Sequence, residues 1–289
     1  MSLDLTTAVL TLLALLAFAS NSLLTRLALG AHQIDAATFT LIRLLAGAVV
    51  LSALVGVRAR SLAPLRWGGA RGPLALFTYA APFTFAYLRI GAAAGALVLF
   101  GTVQLTMLGY GILRGGERPS AATWLGIVLA ITGFAILTVP SATRPDPLGL
   151  ALMVVAGISW GVYSLAGRTT VDPLASNARS FLWSSPLALV LALLSPATQV
   201  ASGRGIALAV ASGAVTSGLG YAIWYRALPR LTVTQAAVAQ LSVPVIAALG
   251  ASLLLQEVLS GRFIIAGATI LSGVGLVLAA RFRAPSGRA

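Results

Sequence analysis

Long apolar runs follow one another along almost the whole chain, each broken by a short polar or Gly/Pro segment. They fall at roughly 5–28, 36–57, 72–89, 91–113, 120–139, 147–167, 174–195, 204–226, 231–255 and 261–281. A bilayer core of about 30 Å takes about 20 apolar residues of helix. The pattern therefore predicts an all-α membrane protein of ten transmembrane helices. Gly and Pro mark the breaks, at Arg71-Gly72-Pro73, at Gly115-Gly116 and from Pro140 to Pro147. The first run, Leu5 to Leu29, is too long for a signal peptide and lacks a basic leader, so it reads as a true span.

The ten runs divide into two fives. Shifting the chain by 140 residues lays spans four and five on spans nine and ten. Thr102 then meets Ser242, Glu117 meets Glu257, Ser120 meets Ser260 and Gly133 meets Gly273. Matches among Ala, Val and Leu carry little weight in so apolar a chain. The Glu-x-x-Ser coincidence carries more, because Glu117 and Glu257 are the only glutamates. A slightly smaller shift sets Asp35 and Arg43 near Asp172 and Arg179. The expected organisation is a first repeat over 1–140, a linker over 141–146 and a second repeat over 147–289. Each repeat has an odd number of spans, so the second is inverted in the membrane. Inverted repeats are the usual architecture of secondary transporters, with the substrate near midplane between the halves.

Composition agrees and adds orientation. The chain is 58% hydrophobic and only 9% charged, against about 25% in soluble domains. All basic residues are Arg. Arg58, Arg60, Arg66, Arg71, Arg114, Arg118, Arg168, Arg226, Arg230, Arg281, Arg283 and Arg288 fall on one side; Arg26, Arg89, Arg144, Arg204 and Arg262 fall on the other. The positive-inside rule puts the richer side, and both termini, in the cytoplasm. The net charge of +13 thus reflects loop Arg and not a nucleic-acid surface. With no cysteine, disulfides, thiol catalysis and Cys-ligated metals are excluded.

Certain residues carry a resemblance. Phe18-Ala-Ser-Asn21 lies in span one and Arg43 in span two. Gly116-Glu-Arg-Pro-Ser120 precedes a Gly-rich span and is echoed by Gln256-Glu-Val-Leu-Ser260. Span nine carries Ala236-Ala-Val-Ala-Gln-Leu-Ser-Val-Pro244. Together these resemble the ten-helix, duplicated branch of the drug/metabolite transporter superfamily. The family's Trp-Gly-Ser-Asn is Phe18-Ala-Ser-Asn here, while Ser159-Trp160-Gly161 keeps Trp-Gly in span six. Span four has Gln104 where span nine has Pro244. The resemblance implies a multi-pass protein of the bacterial inner membrane that exports small metabolites, with amino acids, including aromatic ones, the leading class. It does not separate these from another metabolite or a cationic drug.

Polar groups inside a bilayer are costly and usually face a bundle interior or a wet cavity. The candidate lining residues are Asn21, Tyr79, Phe100, Thr102, Gln104, Trp160, Tyr163, Tyr221, Gln240 and Ser242. The amides of Gln104 and Gln240 offer donors and acceptors to a zwitterion, or else bond helices together. Tyr79, Trp160 and Tyr221 offer ring faces to an aromatic body or an ammonium, or else pack. Arg43 lies about 10 Å inside span two. Its guanidinium suits a carboxylate, and it suits equally well snorkelling outward or capping carbonyls. Pro82, Pro186 and Pro244 fall mid-span and are candidate gating kinks. Spans five and ten contribute almost nothing polar and read as support, at most a dimer surface, so monomer and homodimer both stay open.

No Asp, Glu or His lies deep in a predicted span. Carboxylate-based proton antiport is therefore not expected, and gradient-driven transport is. The same lack weighs against a membrane enzyme, since neither clustered carboxylates for a metal nor a Ser–His or Asp pair is present. No ion-filter motif argues for a channel. The expected partners are the lipid bilayer and a small-molecule substrate, with no cofactor.

Overall fold

The computed structural model describes residues 4–30, 32–90, 92–138, 146–195, 200–255 and 261–279. Gln256 to Ser260, with Glu257, and most of the expected linker lie outside them. Ten helical rods run through the described residues: α1 Leu5–Gly30, α2 Ala36–Ala59, α3 Arg71–Tyr87, α4 Ala92–Leu113, α5 Ala121–Thr138, α6 Pro147–Arg168, α7 Pro173–Leu194, α8, α9 and α10 Gly261–Ala279. Rod α8 is made of Gly203–Ala211, Ser212–Leu219 and Gly220–Ala227 in continuous succession. Rod α9 joins Val233–Ala239, Gln240–Ser242 and Val243–Leu255. Among the described residues, seven helices are long and apolar enough by themselves to cross a bilayer. Shorter apolar stretches lie within α4 and α5, at Val98–Leu113 and Ala121–Ile136. At 17 residues, α3 is the shortest rod; it packs against α6 and α7.

The chain's few acids make the helix starts. Asp4, Asp35, Asp146 and Asp172 each accept a backbone N–H from the first turn, from Thr7, Thr38, Gly149 and Ala175. Such caps satisfy N–H groups that a helix leaves unpaired and favour negative charge there. Pro147 and Pro173 follow two of these caps at the first helical position, where a missing N–H costs nothing. Thr232 and Gln235 form a reciprocal capping box at the start of α9.

The packing is two-fold in pattern. Contacts of α6 with α3 and α4 have images in contacts of α1 with α8 and α9, and contacts of α3 with α7 have images in those of α8 with α2. Two pairs, α2 with α7 and α5 with α10, join a helix to its own counterpart. The α5–α10 crossing shows why Gly133 and Gly273 coincide in the repeat. A Cβ on Gly133 would lie 2.8 Å from the Ala266 carbonyl oxygen, and one on Gly273 would lie 2.5 Å from that of Gly126. Glycine lets the two backbones touch at both symmetry-related points. The supporting helices thus support each other within one chain.

Candidate binding cavity

A cavity opens between the halves, lined by Phe18, Asn21 and Ser22 of α1, Tyr79 and Phe83 of α3, Leu99 and Phe100 of α4, Trp160 of α6, Tyr221 of α8, and Gln240 and Val243 of α9. The space left for water centres is only about 30 Å³, room for a water or two. A metabolite therefore needs the ring walls to move apart. Ser22, Phe83 and Leu99 stand toward the Arg-poor side, and Trp160 and Tyr221 form the floor.

Aromatic rings build the floor and the seal below it. Phe18 meets Trp160, Tyr221 and Trp224 edge to face, at centroid distances of 5.2, 5.7 and 5.6 Å. Tyr79 lies 4.8 Å from Trp160, which lies 4.7 Å from Tyr221. Each such pair stabilises by about 0.5–1.5 kcal/mol beyond area burial. Beneath, the Tyr163 hydroxyl donates to Asn177 Oδ1 at 2.7 Å, and the Tyr225 hydroxyl to the Tyr163 carbonyl at 2.8 Å. The Trp224 indole N–H donates to Ser164 Oγ at 3.2 Å.

On the Arg-rich side, Glu117 ties the halves together. Its carboxylate accepts from Val233 N at 2.5 Å, Thr234 N at 2.9 Å and Thr234 Oγ1 at 2.7 Å. These are the first N–H groups of α9, so an anion from the α4–α5 loop sits on a helix N-terminus of the other half. Arg168 Nη1 donates to the Leu231 carbonyl nearby, at 2.6 Å.

Behind Tyr79 and Tyr221 lies Arg43, only 1% exposed. Its Nε donates to Ser217 Oγ at 2.8 Å and its Nη2 to the Tyr221 hydroxyl at 2.6 Å. Its guanidinium carbon stands 5.5 Å from the Tyr79 ring centroid, a cation–π distance. Nη1 has no partner, and no described acid pairs with the charge. Arg43 points into the bundle, away from both membrane faces, which excludes snorkelling. The Ser217 that receives it lies on an eight-residue π-helical stretch of α8, Ser212–Leu219. Widening the turn to i→i+5 bonds brings Ser212, Thr216 and Ser217 onto one face. All three reach Asn21 Oδ1, at 2.7, 3.4 and 3.5 Å.

Six of the residues singled out from the sequence thus share the cavity wall: Asn21, Tyr79, Phe100, Trp160, Tyr221 and Gln240. Four lie elsewhere. Tyr163 is in the seal. Thr102 packs on Gly157 of α6, where an added Cβ would come within 2.7 Å of the Thr102 Cβ. Ser242 Oγ returns to the Ala239 carbonyl at 2.7 Å. Gln104 donates to the Ala237 carbonyl at 2.6 Å and lines a separate apolar groove of about 400 Å³ beside α4 and α5. That groove faces outward, with Leu105 79% exposed on its edge. The candidate kinks also divide. Pro82 and Pro186 sit inside unbroken α3 and α7. Pro244 lies two residues after the 3-10 turn Gln240–Ser242 that interrupts α9 beside the cavity. The wall residues Phe18, Ser22, Phe83, Leu99 and Val243 carry no polar mid-span signal except Ser22; Phe18 and Val243 were legible only as members of the span-one and span-nine motifs, and Phe83 only as an aromatic. The Ser212–Ser217 face has one sequence sign, the polar positions themselves in a run of small residues.

The profile of the EamA-like transporter family matches this chain twice, over residues 5–139 and again over 147–279. The chain belongs to the EamA-like transporter family. Within this part of the drug/metabolite transporter superfamily, an uncharacterized protein of Pseudomonas aeruginosa is 49% identical over 96% of both chains. The uncharacterized transporter YdeK of Bacillus subtilis is 30% identical over 57% of this chain and 59% of its own. A solved crystal structure superposes with a TM-score of 0.81 over 95% of this chain and 98% of that one, at 24% identity, a likeness of fold. The EamA-like double match falls on the two sets of five rods, and the Glu117 tie joins one set to the other. The chain is accordingly a multi-pass membrane transporter.

Proposed function

We propose that this transporter is a facilitative exporter of small metabolites, amino acids first among them, that works by alternating access in the bacterial inner membrane. The observation that carries the reading is the position of the cavity. It lies between the halves, narrows to rings at its floor, and is backed on the Arg-rich side by the Glu117 tie. With that side cytoplasmic, the state is one closed to the cell interior. Opening it requires the Glu117 bonds to part and Trp160, Tyr221 and Tyr163 to separate, while the Arg-poor side closes around Ser22, Phe83 and Leu99. The 3-10 turn at Gln240–Ser242 and the π stretch at Ser212–Leu219 are departures from α-helix at the cavity, where repacking is least costly.

Aromatic faces and spare polar donors on one wall suit a small amphiphile such as an amino acid. The facilitative part of the reading is supported by the titratable groups: the described acids all lie at helix starts or, for Glu117, in a loop on the Arg-rich side, and none of them lines the cavity. The test is saturable uptake of labelled amino acids into proteoliposomes holding the full chain, with internal pH recorded. Saturation without proton movement is expected. A fixed proton-to-substrate stoichiometry removes the facilitative part, and no amino-acid flux removes the substrate class.

A further inference from the structure

The cavity wall has an unequal supply of hydrogen-bond donors and acceptors. Its two side-chain amide oxygens are already engaged. Gln240 Oε1 receives the Trp160 indole N–H at 2.6 Å, and the Gln240 Nε2 is spent on the Ala236 carbonyl and on Met107 sulfur. Asn21 Oδ1 receives Ser212 and faces Thr216 and Ser217 as well. Ser22 Oγ donates to the Phe18 carbonyl at 3.3 Å, so on this wall it offers only a neutral hydroxyl oxygen as acceptor.

The donors are left over. Arg43 can only donate, so the Tyr221 oxygen must accept from it. The Tyr221 proton is then free to pass to the Tyr79 oxygen, 3.4 Å away. That leaves the Tyr79 O–H as the last donor of a chain that begins at a cation. Asn21 Nδ2 stands on the same wall. Behind them the unpartnered Arg43 Nη1 keeps a whole positive charge without a described carboxylate near it. An arginine within the membrane-spanning part of a helix is costly unless its charge is offset. A ligand that brings a negative charge offsets that cost; a cation adds to it.

Resting on the carrier reading above, we infer that the cavity recognises its substrate by a carboxylate, held by Asn21 Nδ2 and the Tyr79 O–H in the field of Arg43, and that an amino group is dispensable. The substrate class is a small carboxylate with a flat apolar body that lies against Phe18, Phe83 and Trp160. Amino acids belong to it through their carboxylate, and so do acids that lack nitrogen. Among the described residues the wall has no carboxylate for an ammonium, Arg43 already covers a face of the Tyr79 ring, and the Trp160 face is taken by the apolar body of the substrate. Arg43 acts here as a positioning residue, through the two phenols.

The experiment is equilibrium dialysis of purified full-length protein with labelled 3-phenylpropanoate and labelled phenethylamine, which share one skeleton and keep only the acid or only the amine. The acid is expected to bind saturably and at least about tenfold tighter than the amine, since a charge-assisted bond differs from its absence by 1.4 kcal/mol or more. Tyr79→Phe, which removes one hydroxyl, is expected to weaken the acid about tenfold and leave the weak amine binding unchanged. Arg43→Lys is expected to retain more acid affinity than Arg43→Gln, a ranking that loss of packing alone does not produce. Equal or tighter binding of the amine, absence of acid binding, or acid affinity unchanged in both Tyr79→Phe and Arg43→Gln overturns the inference. Labelled phenylalanine flux into vesicles from the same preparation reports separately on amino-acid carriage, so each reading can fail while the other stands.

Discussion

Single polar residues decide most of what the cavity can do, because each has few partners in an apolar bundle. Arg43 shows how depth in a span leaves a role open: the sequence places it well inside span two, and only the structure shows Ser217 and Tyr221 waiting for it. Asn21, Tyr79, Trp160, Tyr221 and Gln240 were legible as polar or amphipathic groups at mid-depth. Thr102, Gln104 and Ser242 satisfied the same criterion and face other ways, since a helix apolar all round gives no periodicity to set its inner face. A residue at the membrane edge offers a cleaner test. Asp172 caps α7 and contacts Arg58 of α2. Burial pushes its carboxyl up, but the Arg58 bond and the Ala175 N–H outweigh this and hold it below the usual 3.8. A folded pKa below the unfolded one gives stability that is present above pH 3.8 and lost as pH falls through the lowered value. Asp172→Asn should therefore lower the melting temperature in detergent slightly at pH 7, and the difference between wild type and variant should shrink once pH falls below 3.8 and vanish below the lowered folded value. A difference that does not shrink as pH falls from 7 to below 3.8 contradicts the role given to the pair.

At the scale of helices, bilayer thickness made nine of the ten rods easy to read and hid their irregularities. The shortest, α3, carries Pro73, Pro82 and Arg71 within Arg71–Tyr87, which lowers its apolar signal without breaking it. The π stretch of α8 left no signature beyond small residues. Those residues are needed: a Cβ on Gly213 would lie 2.1 Å from the Arg43 carbonyl oxygen, a backbone atom that cannot swing aside. Gly213→Ala is expected to destabilise the protein by about 1–3 kcal/mol through overpacking. Gly101→Ala, with nothing within 4 Å, should not destabilise it. Thermal unfolding of the two in one detergent checks this, and equal melting temperatures refute the close α2–α8 contact. Glu117 belongs to this scale too, since it fastens one helix start. The chain has no cysteine, so a single Ser164→Cys below the cavity floor is a clean reporter. Glu117→Gln, which weakens three charge-assisted bonds, should raise its labelling from the Arg-rich side about threefold to tenfold. Unchanged labelling removes Glu117 as a latch.

Over the whole molecule the repeat was legible from two glutamates and a pair of glycines, and the structure gives a role to Glu117 and to both glycines, while Glu257 lies outside the described residues. Gly133 and Gly273 are crossing points at symmetry-related places on α5 and α10, and Glu117 is a tie between halves. The cavity between the halves was implied by their inversion but not its present tightness, which depends on ring packing that no linear pattern records. On the proposed alternating-access reading, a pair of halves tied on one face around a space too small for its cargo corresponds to one end of the cycle. Counterflow tests that account most directly. Proteoliposomes are loaded with unlabelled phenylalanine, and entry of external labelled phenylalanine is followed. A carrier that turns over only by exposing one cavity to each side in turn should show saturable entry that internal phenylalanine accelerates, with a transient overshoot. Entry that rises linearly with concentration and ignores internal phenylalanine contradicts alternating access.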